Sequence, residues 1–312
     1  MQLSDSQYYN PEKKDIDWNK LRVRCSAIRR VMADSRSNPQ LTELQAVELS
    51  ELEKKPVLTP KQQEKLALLV TKRENSSKVI LSDGCIEYLM EVYAWETGQR
   101  VRVQKEMDVE ALERGKIVEQ AGIDLLSFVE NITYTKNKER IFNEFLTGEP
   151  DIFTGANIYK AKKISDIKSV CDQVLFLCKM QSGLEAGQKE QLQGYGDISG
   201  AQDLEVANCL LNVPEMQIED RKRRLIYKMG VATDENPEFK LAWATYLRSM
   251  IFDGSYNTPP IPATRRVHKI IVEPFTDFER QAVYERVKVC RQWMVEFHKI
   301  YGQTEVYKDK IA

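Results

Sequence analysis

Apolar residues recur at two different spacings along the chain, and these spacings predict helices and strands. In the longer segments they return every three to four positions, which is the period of a helix that buries one face. In shorter segments apolar and polar residues alternate, which is the period of a strand with one buried face. The helical spacing covers residues 41–75 as a helical hairpin, 82–97, 108–130, 169–179, 185–198, 219–228, 238–252 and 278–301.

The predicted strands lie mainly in the middle of the chain and include a hairpin. Residues 154–157, with the sequence Thr-Gly-Ala-Asn, are typical of a turn because glycine and asparagine both tolerate a positive φ angle. A hairpin closed by this turn would bring Asp151 opposite Asp166. Strands are predicted over residues 132–134, 140–146, 151–153, 164–169, 206–213 and 266–272.

Residues 21–32 are predicted to form a short extended piece that turns into a helix, with Ser26 as the N-cap. Two interpretations of this basic segment stay open, namely a solvated helix face and a phosphate contact at a helix N-terminus. The basic residues concerned are Arg22, Arg24, Arg29 and Arg30.

Composition adds little beyond the class of ordinary globular proteins. The chain has 312 residues, a formal net charge of -1 and a charged fraction of 30%. This length allows one large domain or two small ones, each with a sizeable core. The near-neutral charge argues against a dedicated non-specific nucleic-acid binder, although a nuclease with an acidic site remains compatible with it. Because no apolar run approaches the ~20 residues that span a bilayer and the N-terminal residues lack the apolar core of a signal peptide, we expect a cytoplasmic location.

Cysteine and histidine usage disfavours several kinds of catalytic or structural site. The six cysteines contain no C-x-x-C pair, so reduced and mostly buried thiols are expected rather than disulfides or a zinc site. The two histidines, His268 and His298, lie far from any nucleophile motif. Catalysis by a Ser-His or Cys-His arrangement is therefore not expected.

The strongest candidate chemistry lies on the predicted hairpin. Because side chains alternate along a strand, Asp166 and Lys168 should project from one face and Ser165 and Ile167 from the other. With Asp151 opposite, two carboxylates and an ammonium group would converge on one spot. Such a cluster is costly unless a cation or a phosphate neutralises it, although a solvated acidic hairpin is the ordinary alternative.

A second unusual stretch is the predicted helix over residues 108–130. Gly115, Glu119, Gly122 and Leu126 fall on one stripe of this helix. Glycine inside a helix costs roughly 1 kcal/mol relative to alanine, so two of them beside one carboxylate require a reason. Close packing of the stripe on a sheet would supply that reason and would leave Glu119 partly buried.

Two further patterns lie in the later helices. Gln191 and Tyr195 are four residues apart and should share one face of a helix. The densest basic cluster, residues 221–224, suits either a solvated helix face or a contact with a DNA backbone.

Taken in order, these motifs resemble those of one nuclease family. Pro150-Asp151, a spacer and then Asp166-x-Lys168 resemble the PD-(D/E)xK signature. Gln191-x-x-x-Tyr195 resembles a motif of the RecB-like and lambda-exonuclease-like nucleases, and Arg114-Gly115-x-x-x-Glu119 resembles the first block of the phage exonuclease branch. Over about residues 105–213 the chain is similar to YqaJ-type, lambda-exonuclease-like phage recombination nucleases. It departs from them by an Asp in the (D/E) position, a long spacer and an extra helical hairpin near its start.

This resemblance implies a fold and a function. The implied fold is α/β (α+β), with a restriction-endonuclease-like central mixed β-sheet flanked by helices. We expect an N-terminal helical region over residues 1–78, with the helical hairpin as an extension, and a nuclease core over residues 79–312. The implied function is metal-dependent 5′→3′ digestion of linear double-stranded DNA, which leaves 3′ overhangs for a single-strand annealing protein. Such nucleases are often ring-shaped trimers, so the resemblance also implies a homo-oligomer. It further implies a phage or prophage origin and action in the bacterial host cytoplasm.

The resemblance also implies roles for individual residues. The implied catalytic residues are Glu119, Asp151, Asp166 and Lys168. Mg²⁺ or Mn²⁺ would be held by Glu119, Asp151, Asp166 and the carbonyl of Ile167, since oxygen ligands suit these ions better than zinc. The residues implied in DNA binding are Gln191 and Tyr195 for the backbone, with Arg114, Ser26 and Arg24 for the terminal 5′-phosphate.

Two other functions remain compatible with the sequence. One is a RecB-like nuclease of other polarity or with endonucleolytic action, or a CRISPR-adaptation-type nuclease; the latter commonly carry an iron–sulfur cluster, for which the cysteine spacing offers no four-ligand set. The other is a non-catalytic DNA-binding or phage structural protein whose acidic hairpin is merely solvated.

Overall fold

The computed structural model describes residues 16–33, 43–55, 58–76, 80–98 and 106–302. In the helix that spans Glu106–Glu130, the side chains are described from Ile117 onwards. The chain divides into two compact units. The first unit comprises residues 1–102 and 277–312, and the second comprises residues 103–276. The boundaries of these units differ from those of the predicted regions 1–78 and 79–312, and the predicted regions stay a prediction.

The first unit is mainly helical. Its buried side chains include Trp18, which stacks on Tyr93 with ring centroids 5.3 Å apart. Tyr93 in turn packs edge-on against Phe297, at 5.1 Å between centroids. The elements are β1 (Val23–Arg24), α1 (Ile28–Met32), α2 (Glu43–Glu53), α3 (Pro60–Ser76), α4 (Asp83–Gly98) and, as the last helix of the chain, α10 (Asp277–Gly302).

The predicted helical hairpin is present in this unit as α2 and α3. Its two helices share a small apolar cluster, and ion pairs cross between them at Lys65–Glu48 and Arg73–Glu53, both at 2.6 Å. The buried members of the cluster are Leu49, Leu52 and Leu69.

The predicted N-cap at Ser26 is wrong. Ser26 lies inside a 3-10 turn, Cys25–Ala27, and α1 begins only at Ile28. The turn is closed by the Ile28 N–H, which donates to the Cys25 carbonyl, so the chain enters the helix without a side-chain cap. Ser26 and Arg24 are both exposed.

The second unit is built around a mixed five-stranded sheet. Its strand order is β2-β5-β6-β7-β8; β6 and β7 are parallel and the other neighbours are antiparallel. A small antiparallel hairpin, β3–β4, precedes the central strands. The strands are β2 (Thr135–Lys136), β3 (Ile141–Phe142), β4 (Leu146–Gly148), β5 (Ile152–Gly155), β6 (Ala161–Val170), β7 (Asp203–Leu210) and β8 (Val267–Val272). The helices are α5 (Glu106–Glu130), α6 (Gln173–Ser182), α7 (Gln188–Ser199), α8 (Glu215–Met229) and α9 (Pro237–Arg248).

Strands β5 and β6 form the predicted hairpin. Gly155 has a φ of +136°, and a Cβ atom there would come within 2.7 Å of the Lys160 carbonyl oxygen. The register also shifts between Thr154 and Gly155, which marks a bulge. Glycine is therefore required where the chain leaves β5.

Helix α5 lies on the sheet through the predicted glycine stripe. A Cβ atom at Gly122 would lie 3.0 Å from Cγ2 of Ile167 and 3.6 Å from Oγ of Ser169. Ile167 and Ser169 point to the same face of β6, so α5 covers that face. A buried apolar cluster forms there and includes Val118, Ile123, Leu126, Ile152, Ile167 and Ala207.

Two predicted strands differ from the structure. Residues 132–134 have no regular secondary structure and come before β2, which begins at Thr135. The predicted strand over 140–146 is split into β3 and β4, because the side-chain oxygen of Asn143 accepts hydrogen bonds from the N–H groups of Phe145 and Leu146 and turns the chain. The other predicted elements are present with boundaries shifted by a few residues.

All six cysteines lie in the described ranges and are reduced thiols. Four are buried, Cys171 is intermediate and Cys178 on α6 is exposed. Within the described ranges, no helix has both the length and the apolar character needed to cross a membrane.

Candidate active site

The centre of the candidate site is the pair Asp166 and Lys168 on β6. Asp166 is only 4% exposed, and Nζ of Lys168 lies 2.6 Å from its Oδ2. The two side chains alternate with Ile167, which faces α5, so they occupy the opposite face of the sheet. This is the arrangement predicted from the Asp-x-Lys spacing.

Asp151 lies beside this pair, directly before β5. Ile152 pairs with Ser165, so the next position along the hairpin places Asp151 beside Asp166. Oδ2 of Asp151 accepts a hydrogen bond of 2.8 Å from the backbone N–H of Ile167. The hairpin therefore brings two carboxylates and one ammonium group together.

The charges of these groups act strongly on one another. Burial and the neighbouring Asp166 raise the pKa of Asp151 to about 7, against the opposing effects of Lys168 and the Ile167 N–H; Glu119 adds to the increase. Burial works against the charge on Lys168, but Asp166 and Asp151 outweigh it, so the pKa of Lys168 lies above its usual value. The site thus carries more negative charge than its own lysine neutralises.

Glu119 lies on α5, about one turn before Gly122. Its Oε2 is 2.9 Å from Nζ of Lys136 on β2. The Glu119 charge is felt at Asp151, where it contributes to the raised pKa. Its carboxylate is therefore near the site but is held by a lysine of the sheet edge.

The oxygen donors of the site match the kind of ion that was predicted. Carboxylate and carbonyl oxygens are the ligands that Mg²⁺ and Mn²⁺ prefer, and a cation would offset the mutual repulsion of Asp151 and Asp166. As the side chains of the described residues stand, no group of three or more His, Cys, Asp or Glu residues is close enough together to hold a metal ion. For Glu119 to join Asp151 and Asp166, it would have to exchange Lys136 for the ion.

Gln191 and Tyr195 share one face of α7, as predicted. Nε2 of Gln191 donates a hydrogen bond of 2.8 Å to the Tyr195 hydroxyl, and this hydroxyl donates to the Glu149 carbonyl at 3.3 Å. Glu149 lies two residues before Asp151. Helix α7 is therefore tied to the segment that carries the first carboxylate.

Three residues are predicted to bind a 5′-phosphate. The backbone of Arg114 belongs to α5, but its side chain lies outside the described residues. Ser26 and Arg24 belong to the first unit. Their roles stay a prediction.

Sequence reasoning missed one charged neighbour of the site. Glu185, between α6 and α7, contributes to the raised pKa of Lys168 and forms an ion pair with Lys179. A single glutamate in a connecting loop has no spacing pattern, so only the folded structure reveals its proximity.

The site combines three features: an Asp directly before one strand, an Asp-x-Lys in the adjacent central strand and a helix bearing Gln-x-x-x-Tyr. The PD-(D/E)xK resemblance implies this arrangement. No family model matches the chain, and no curated protein matches it. Among solved structures, the chain is similar to a phage related exonuclease from Haemophilus somnus 129PT, with 18% identity and a TM-score of 0.54 over 90% of this chain and 97% of that one. It is also similar to an alkaline exonuclease, LHK-Exo, from Laribacter hongkongensis, with 9% identity and a TM-score of 0.49 over 90% of this chain and 91% of that one. The first similarity shows a shared fold and confirms the predicted fold class.

Proposed function

We propose that this protein is a metal-dependent deoxyribonuclease whose catalytic centre is formed by Asp151, Asp166 and Lys168. The observation that carries the proposal is the convergence of these three groups on one face of the β5–β6 hairpin, with Asp151 bonded to the β6 backbone. The fold shared with a phage related exonuclease supports it.

The ion we propose is Mg²⁺ or Mn²⁺. Asp151, Asp166 and the Ile167 carbonyl would hold it, and Glu119 would join them after leaving Lys136. When bound, such an ion acidifies water and offsets negative charge that develops on a phosphodiester.

The residues of the chain have separate tasks in this proposal. Lys168, whose raised pKa keeps its amine protonated, orients the attacking water through Nζ–H and stabilises the negative charge of the transition state. Asp166 holds that ammonium group in place. Gln191 and Tyr195 position the DNA backbone, and Tyr195 also fixes the segment before Asp151.

The more specific function that we propose is 5′→3′ exonuclease activity on linear double-stranded DNA, which generates 3′ overhangs. The order of motifs over residues 105–213 supports it, and Arg114, Ser26 and Arg24 would hold the 5′-phosphate. The same proposal includes a phage or prophage origin and action in the bacterial host cytoplasm. It also includes a single-strand annealing partner and assembly into a homo-oligomer, of which a trimer is the form we propose.

A substrate comparison tests this function. Purified protein should release nucleotides from linear 5′-phosphorylated duplex DNA in the presence of Mg²⁺ and should leave closed circular duplex intact. A chelator should stop the reaction, and added Mg²⁺ should restore it. Cleavage of circular DNA would favour an endonuclease, and absence of cleavage with either ion on every DNA substrate would overturn the proposal.

A further inference from the structure

Lys168 belongs to a row of polar side chains that crosses three strands of the sheet. Lys168 pairs with Asn208 on β7, and Asn208 pairs with His268 on β8. Directly paired residues of neighbouring strands point to the same face, and each step between strands is about 4.8 Å. This cross-sheet row, Lys168–Asn208–His268, therefore lies on the face that carries Asp166.

Asn208 differs from the other buried polar residues of the described structure. It is 3% exposed, and its side-chain amide makes no hydrogen bond with the described protein groups. Every other buried polar or charged side chain there takes part in a hydrogen bond or ion pair. These are Ser82, Asn137, Thr147, Ser165, Asp166, Gln188, Gln193, Ser199, Glu205 and Thr258.

A buried amide without hydrogen bonds is unfavourable unless a ligand supplies the missing hydrogen-bond partners. The amide is not fully enclosed, because the fully enclosed and unpaired side-chain atoms of the described residues are Nε1 of Trp18 and Nε of Arg266. Asn208 thus has free hydrogen-bonding groups on the face of the candidate site.

The chemistry of the row suits an anion. Lys168 is a cation, the amide of Asn208 offers two N–H donors and the imidazole of His268 offers an N–H. The adjacent row, Asp166–Val206–Ile270, has its charge only on β6. In these two rows negative charge is therefore confined to β6, while hydrogen-bond donors continue across the sheet.

We propose that Asn208 and His268 form a second phosphate subsite, which binds the backbone phosphate next to the one that is cleaved. The proposal rests on the proposed nuclease function. Asn208 donates through Nδ2–H to a non-bridging phosphate oxygen, and His268 donates to the same nucleotide on its far side. Neither residue takes part in bond breaking, so both are positioning residues.

Binding measurements in a chelator test the subsite without cleavage. Asn208→Leu keeps the size of the side chain and removes its donors, so affinity for a 5′-phosphorylated duplex should fall about tenfold. Asn208→Asp should weaken binding further, because its charge repels phosphate. Asn212→Leu is the matched control: the Asn212 amide oxygen accepts from the Phe252 N–H at 2.8 Å, so this variant should lose thermal stability and keep its affinity.

Methylphosphonate substitution identifies the phosphate that Asn208 contacts. Replacing one phosphate at a time by the neutral analogue should weaken binding of the wild-type protein at the position next to the scissile bond. The same replacement should have no effect on Asn208→Leu, and His268→Leu should show a smaller loss at that position. The thermal midpoint of Asn208→Leu should equal or exceed that of the wild type, because no protein hydrogen bond is lost.

A lower thermal midpoint of Asn208→Leu together with unchanged affinity and an unchanged methylphosphonate profile would show a structural role and overturn the subsite. If the wild-type protein binds duplex DNA but does not cleave it, the nuclease proposal is overturned. The binding measurements then still test the subsite. Wild-type protein that does not bind DNA would overturn both.

Discussion

Asp151 accepts a hydrogen bond of 2.8 Å from the backbone N–H of Ile167, the residue between Asp166 and Lys168. This bond lies beyond the last backbone pair of the β5–β6 ladder, which joins Ile152 and Ser165. A side-chain carboxylate thus continues the ladder, and the backbone itself orients it beside Asp166. The acidic pair is therefore preorganised by the hairpin.

Asp166→Ala and Lys168→Ala should each lower DNA cleavage by at least about a hundredfold, because each removes charge from the proposed catalytic centre. Binding of duplex DNA should persist. Nucleotide release with saturating Mg²⁺ measures the first effect, and anisotropy of labelled DNA measures the second. Lys162→Ala, which changes an exposed lysine of the same strand, is the control and should remain active. Full activity in either site variant would exclude the assigned centre.

Lys136→Met should increase the affinity for Mg²⁺. The Lys136–Glu119 ion pair is partly exposed, with side chains 41% and 27% accessible, so its loss costs only about 1 kcal/mol and frees Glu119 for the ion. A decrease of roughly threefold to tenfold in the apparent Kd should appear in calorimetric titrations with Mg²⁺ or Mn²⁺. Lys138→Met, at an exposed position on the same segment, should bind the ion as the wild type does. An unchanged Kd in Lys136→Met would argue that Glu119 is not a ligand.

Tyr195→Phe should raise the KM for DNA roughly tenfold, with a smaller effect on kcat. It removes the hydroxyl that accepts from Gln191 and donates to Glu149, each a bond worth about 1 kcal/mol. Steady-state kinetics on linear duplex measure the change. Gln193→Leu on the same helix breaks the bond to the Glu273 carbonyl and should lower stability while KM is kept. If Tyr195→Phe kept the wild-type KM, as Gln193→Leu should, Tyr195 would have only a structural role.

Gly122→Val should lower the free energy of unfolding by about 1–3 kcal/mol, because the new side chain meets Ile167 where a Cβ atom alone would lie at 3.0 Å. Urea denaturation measures the change. Gly84→Ala is the opposite case, since nothing lies within 4 Å of the Cβ position in α4. That variant should gain about 0.5–1 kcal/mol from the preference of a helix for alanine. A stable Gly122→Val protein would contradict the close packing of α5 on β6.

Stability should depend on the ionisation of Glu130 at acid pH. Burial alone would raise its pKa, but hydrogen bonds from three side chains outweigh burial and lower the pKa of Glu130 to about 2. The stabilisation is therefore complete above about pH 4.5 and is lost as the pH falls through about 2. Glu130→Gln should lack this part of the pH dependence in unfolding experiments between pH 6 and 2, where the exposed Glu139→Gln should follow the wild type. The three side chains are Lys269, Tyr134 and Lys163.

Local spacing was sufficient to predict the hairpin, the face shared by Asp166 and Lys168 and the face shared by Gln191 and Tyr195. Each of these depends on residues close in sequence, where strand or helix periodicity decides direction. The glycine stripe of α5 was also predictable at Gly122, because a glycine in a helix requires a close neighbour.

Other features depend on partners far away in sequence. The pairing of Glu119 with Lys136 is a competition between charges that no periodicity encodes. Asn208 is one amide in an apolar strand. Only its register with Lys168 and its burial indicate a role in the site, and neither is visible in the sequence. Ser26 has the residue type of an N-cap, but it lies inside the 3-10 turn that leads the chain into α1.

The distribution of thiols makes the protein convenient for spectroscopy. Cys178 on α6 is exposed, whereas Cys25, Cys85, Cys209 and Cys290 are buried. A maleimide dye or spin label added to the native protein should therefore react first at Cys178, on the helix that directly follows β6. A reporter can thus be attached near the strand that carries the proposed site without engineering the other cysteines away, and its distance to labelled DNA can be followed in real time.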